Sequence, residues 1–191
     1  MKTITNEHMI NVGSIEGDAY TNKFFGVKYA LPEGFRFYNV DQLEAANRAI
    51  IQTNKDQAVL EAYKSGIAFF DMVATAVNDP SFSIVIQIAG SEGSDLDEAE
   101  YFEVGKDKII QQLNDVGFIV KSVETGTHTN QNTGDEFSAI KLAIEKQGTP
   151  LYEEIICIKA GDCYMNATVS AADEAGLVFV LDHLTHTRGN D

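Results

Sequence analysis

The sequence predicts an α+β protein, a three-layer α/β/α sandwich around a mainly antiparallel β-sheet. Three observations carry that expectation. Successive β-rich runs are joined by short polar or Gly-bearing turns, which gives hairpins and antiparallel pairing. In 82–89 apolar residues fill both alternating sets, Phe82, Ile84, Ile86 and Ile88 in one and Val85 and Ala89 in the other, as in a strand covered on both faces. Helical patterns stand near both ends and in the middle, so layers are available for each face.

The first strand is expected over 24–31, turned by Pro32-Glu33-Gly34 and resumed over 35–38. A helix follows over 41–52, with Leu43, Ala46 and Ile50 at helical spacing and Asn39 or Asp41 as its cap. A second helix over 56–65 stops at Gly66. The runs 67–77 and 82–90 form a hairpin around Asn78-Asp79-Pro80-Ser81. The longest helix, 95–116, carries the stripe Ala99, Phe102, Ile109, Leu113 and Val116 and ends at Gly117. Four strands come next, 118–124, 137–146, 152–159 and 163–170. Ser170 caps a last helix over 172–184, with Leu177, Val178, Leu181 and Leu184 on it. Residues 1–19 read as a flexible polar lead-in and 20–191 as one domain, with no internal repeat and no linker.

Composition narrows the partners. Fourteen basic residues against 29 acidic ones give a net charge of -15, which repels phosphate backbones and anionic lipid; it reads first as a device for solubility and second as a match for a basic partner. No apolar run approaches the roughly 20 residues of a membrane span. Residues 1–18 contain no apolar leader core. The expectation is a cytoplasmic chain as written, or an extracytoplasmic, lipid-anchored one if a signal has been removed.

Residues 20–39 concentrate seven aromatics. Phe25, Val27 and Tyr29 alternate with Phe24, Lys28 and Ala30, so one set packs under a helix and the other lies nearer solvent. A ligand groove lined by Tyr20, Tyr29 or Tyr38 is the second reading of the same stretch. The set Tyr20, Asn22 and Phe24 to Val27, then Leu31 to Phe35, then a helix opening Asp41-Gln42-Leu43, resembles the PsbP-like α/β/α sandwich proteins. It is most similar to the small uncharacterised bacterial lipoproteins of that group. Asp71 to Ala74 and Lys159 to Tyr164 fit the same pattern. Phe35 stands where that pattern has Trp, and no Cys lies near the start to carry a lipid. Relatives include a photosystem extrinsic subunit and a nuclear-import factor that binds a small GTPase. The resemblance therefore implies a binding or assembly protein.

Candidate chemistry is sparse. The acidic loop with Glu92, Asp95, Asp97, Glu98 and Glu100 lacks phosphate-cradle and EF-hand spacing, and helix capping by Ser94 with Asp97 accounts for it better than calcium. His183 and His186, three apart on a helix end, have zinc spacing but no third ligand nearby, so they read as C-terminal capping residues. His8 and His128 lie in polar segments and read as surface residues. Asp71, inside an apolar run, is a candidate acid or base or a partner for backbone amides. A three-residue loop Lys159-Ala160-Gly161 would set Cys157 opposite Cys163 and allow a disulfide in an oxidising compartment; the alternative is two buried thiols. No catalytic residues, metal or cofactor are assigned. The leading expectation is a non-catalytic binding or assembly module that meets a protein or a cell-envelope component, the ligand not being named by the sequence. A hydrolase with a loop-assembled site and a cytoplasmic protein-interaction domain are the alternatives.

Overall fold

The structure, a computed structural model, describes residues 12–79, 81–90 and 95–187. In chain order its elements are β1 (Ser14–Glu16), β2 (Ala19–Asn22), β3 (Val27–Ala30), β4 (Phe35–Phe37), α1 (Val40–Thr53), α2 (Gln57–Ser65), β5 (Ala68–Ala76), β6 (Ser83–Gly90), α3 (Glu98–Asp115), β7 (Ile119–Thr129), β8 (Glu136–Lys146), β9 (Thr149–Ala160), β10 (Cys163–Ala171), α4 (Glu174–Leu181) and β11 (Leu184–His186). Seven strands make the central sheet in the order β4-β5-β6-β10-β9-β8-β7, and every pairing is antiparallel.

The sandwich expected from the hairpins is therefore present, with one addition. The strand expected over 24–31 is shortened to Val27–Ala30, residues 23–26 form the turn from β2, and β1, β2, β3 and β11 form a second, four-stranded sheet. Ser14–Glu16, read as part of the lead-in, pair with β2. This small sheet and α4 cover one face of the central sheet. Tyr20, Phe25, Val27, Tyr29, Leu177 and Leu181 pack there against Met72, Ile84, Ile86, Ile156 and Met165 in one continuous core. The opposite face carries α2 and α3, with Phe102 of α3 set against Ile140, Leu142 and Ile144.

The helices start and stop for local reasons. Asn39 accepts the Gln42 N–H at 2.9 Å while the Gln42 side chain accepts the Asn39 N–H at 3.0 Å, a closed capping box on α1. Asp56 caps α2, and Gly66 ends it with φ of 78°, a left-handed angle that costs a glycine little. On α3 the cap is Asp97, boxed with Glu100, and not Ser94, which lies outside the described residues. The last helix is shorter than expected: Asp173 caps it, and residues 184–186 leave it to pair with β3.

The β9–β10 hairpin departs from the expected register. Its turn has two residues, Gly161 with φ of 52° and Asp162, so Cys163 faces Ala160 and Cys157 faces Asn166. The difference of three residues is odd and moves Cys163 to the other face of the sheet. Cys157 packs under α3, Cys163 packs toward the small sheet, and both are free thiols. No described helix is long and apolar enough to cross a membrane.

Candidate functional site

A groove of about 1030 Å³ lies between α2 and α3, floored by the central sheet. Its floor comes from one face of three adjacent strands: Gln87 and Ala89 of β6, Tyr164, Asn166 and Thr168 of β10, and Glu153 and Ile155 of β9. Ala58, Ala62 and Tyr63 line it from α2, and Tyr101, Phe102, Gly105, Ile109 and Leu113 from α3. The mix of apolar walls with a few convergent polar groups is the usual make-up of a ligand site. At one margin Lys108 of α3 reaches Asp56 of α2 at 2.9 Å, tying the two walls together. The Lys108 ammonium hydrogen-bonded to it holds the Asp56 carboxyl below its ordinary range.

Two features of the groove have no packing explanation. Gly105 sits in the interior of α3, where glycine costs up to about 1 kcal/mol relative to alanine. A Cβ built there meets nothing within 4 Å, so no close approach requires the glycine. Its effect is to widen the groove. The second feature is Asn166, whose Nδ2 donates to the Tyr101 hydroxyl at 3.0 Å while its buried Oδ1 has no partner. Turning the amide over would leave Nδ2 in that place, so one polar atom stands unsatisfied in either orientation. Such a buried group costs about 1–3 kcal/mol unless something fills it. Beside it, Gln87 is half-buried and its side-chain amide has no hydrogen-bond partner among the described residues. Further along the floor, burial pushes the Glu153 carboxyl up, and the Ser170 hydroxyl donating to Oε1 at 3.1 Å offsets this in part.

The residues that stood out in the sequence lie elsewhere. Asp71 is the extra residue of a bulge between Phe70 and Met72 in β5, and the bulge turns its carboxylate toward the small sheet. There it accepts from Tyr20 Oη at 2.5 Å, Gly13 N at 2.9 Å and Asn22 Nδ2 at 3.2 Å. This is the amide-partner reading of Asp71, and it welds the two sheets together. Burial, with the Asp71 charge behind it, pushes the Tyr20 phenol far above its ordinary range. Tyr20 and Tyr29 are fully buried in the core, Tyr38 is half-buried, and none of the three lines the groove between α2 and α3.

The two C-terminal histidines do not share a helix face. His183 donates from Nδ1 to the Phe179 carbonyl at 2.8 Å, as a C-terminal capping residue does. His186 is on β11, stacked on Phe137 with centroids 4.7 Å apart. His8 lies outside the described residues. His128 is not a surface residue: it is buried, and its Nδ1 donates to the buried Glu154 Oε1 at 3.1 Å. The strand alternation that hides it is easily missed in a segment so rich in Thr and Gly. Its Nε2 is buried without a partner, and the shallow hollow nearby is lined by Glu124, Gly126, Ala139 and Lys141 instead. Among the described residues no three His, Cys, Asp or Glu are grouped to hold a metal ion.

The comparisons with known proteins bear on the architecture. The solution structure of cyanobacterial PsbP (CyanoP) from Synechocystis superposes with a TM-score of 0.52 at 12% identity, over 92% of this chain and 98% of that one. The fold is PsbP-like. LpqN, involved in cell envelope biogenesis of Mycobacterium tuberculosis, matches over 82% of this chain and 76% of its own at 12% identity, with a TM-score of 0.36 that carries no argument. No family model and no curated protein matches the chain. The PsbP-like sandwich explains how the groove is built: two helices lie side by side on one sheet face and leave the strands between them uncovered.

Proposed function

We propose that this PsbP-like chain is a non-catalytic binding module and that its ligand or partner enters the groove between α2 and α3. The observation that carries the reading is the unsatisfied Asn166 amide on the floor, opposite a wall opened by Gly105. What supports the absence of chemistry there is the make-up of the lining. Among the described residues Glu153 has no histidine, free cysteine or second carboxylate beside it on the floor, and the buried His128–Glu154 pair lines neither the groove nor the shallow hollow. A general base needs a nucleophile or a water within reach of its free atom.

The test is a photo-crosslinker at Val104, which lines the groove and is 71% exposed. Crosslinked adducts are collected from the native host with the wild-type wall and with Gly105→Trp, which fills the groove. The expected result is an adduct lost in the filled variant while circular dichroism and Tm stay native. An adduct pattern indifferent to Gly105→Trp would overturn the reading.

A further inference from the structure

Resting on that reading of the groove, the geometry points to one class of occupant. We propose that it takes an extended segment of a basic protein, with main-chain amides read by Gln87 and Asn166 and one lysine or arginine side chain reaching Glu153.

Gln87 and Asn166 are direct cross-strand partners on the same face, so their Cβ atoms lie about 4.5–5.5 Å apart. A carboxamide both donates and accepts, as a peptide group does. Two of them side by side, with the Gln87 amide and one Asn166 atom unused among the described residues, complement the alternating N–H and C=O groups of an extended chain. A small apolar ligand would leave those groups desolvated and unpaired.

The dimensions agree. The α3 wall from residue 101 to residue 116 is about 24 Å long, the reach of about seven extended residues. Glu153 pairs with Ser170, four residues along β10 from Asn166, which places it about 13 Å down the floor. A side chain three or four residues from the bound amides therefore arrives at Glu153. Among the described residues the carboxylate has no cationic partner, and one of its two oxygens has no hydrogen bond. A net charge of -15 steers a basic partner toward this surface and turns an acidic one away.

The full chain is presented to an immobilised library of randomised octapeptides, N-acetylated and C-amidated so that only main-chain and side-chain groups can bind. Wild type is expected to retain peptides enriched in Lys or Arg at one register. Glu153→Gln is expected to erase that enrichment and weaken the selected peptide about tenfold. N-methylation of one or two adjacent amides of that peptide is expected to weaken it about fivefold. Retention without Lys or Arg enrichment, enrichment that survives Glu153→Gln, or no retained peptide at all overturns the proposal. Gly105→Trp separates the two readings. If it abolishes retention while Glu153→Gln changes nothing, the groove binds and the basic-segment inference falls. If it retains the same peptides, the groove itself is not the site.

Discussion

On the face of β6 toward the small sheet, Ile84, Ile86 and Ile88 are all completely buried. On the other face of the same strand Val85, Gln87 and Ala89 remain half-exposed. The contrast repeats on β10, where Met165, Ala167 and Val169 have no exposure and Asn166 and Thr168 face the groove. One face is finished mostly in aliphatic residues and sealed by a second sheet; of its buried carboxylates, Glu154 pairs with His128 and Asp71 meets three donors through Oδ2, its Oδ1 having no partner. The other leaves carboxamides, a hydroxyl and a carboxylate on a floor between two helices. Stability alone would close both faces alike, and the open one is the face to which we assign the partner.

The largest expected effect tests that contrast directly. Ile86→Ala on the sealed face should cost about 4 kcal/mol, against about 1 kcal/mol for Ile155→Ala on the groove floor, read from urea unfolding midpoints. Equal costs would erase the distinction between the faces. Asp71→Ala strips three donors, two of them buried, of their acceptor and should cost about 3 kcal/mol by the same measurement. A loss below about 1 kcal/mol would mean that the weld between the sheets is ornamental.

Smaller effects sharpen the picture of the groove. Gly105→Ala should raise stability by about 1 kcal/mol, visible in Tm, because it adds helix propensity and touches nothing. A destabilised variant would show that the glycine is needed for packing after all. The smallest effect is a pH dependence at Glu153. Its folded pKa lies above the unfolded one, so the stability linked to it is full at low pH and is lost as pH rises through the folded value. Glu153→Gln removes that loss, and its Tm advantage over wild type should grow by about 2 °C from pH 4 to pH 8. An advantage that shrinks over this range would refute the sign.

Much of this architecture was legible in the residues. Gly66 and Gly117 stop their helices with φ of 78° and 88°, and the alternation of Phe25, Val27 and Tyr29 against Lys28 and Ala30 matches the burial observed. The small sheet was not legible, because three- and four-residue strands have no periodicity of their own and exist through their partners. The Cys157–Cys163 register turned on whether the hairpin loop held two residues or three, and Gly161 permits either. The groove left one trace. Gln87 is the single polar residue in the run from Ile84 to Ala89, and Asn166 opens a polar alternation, with Thr168 and Ser170, along β10. Neither residue stands out by itself, and only the sheet shows that the two are neighbours.

The pairing of β11 with β3 joins residues 157 positions apart, from Thr185 to the carbonyl of Lys28. Until β11 has been synthesised, β3 has a bare strand edge of Val27 to Ala30 beside exposed aromatic side chains. Such an edge is a template for pairing with a second chain. Completion of the small sheet thus waits on synthesis of nearly all the chain between them, and the nascent protein is most prone to aggregate in the interval just before β11 arrives.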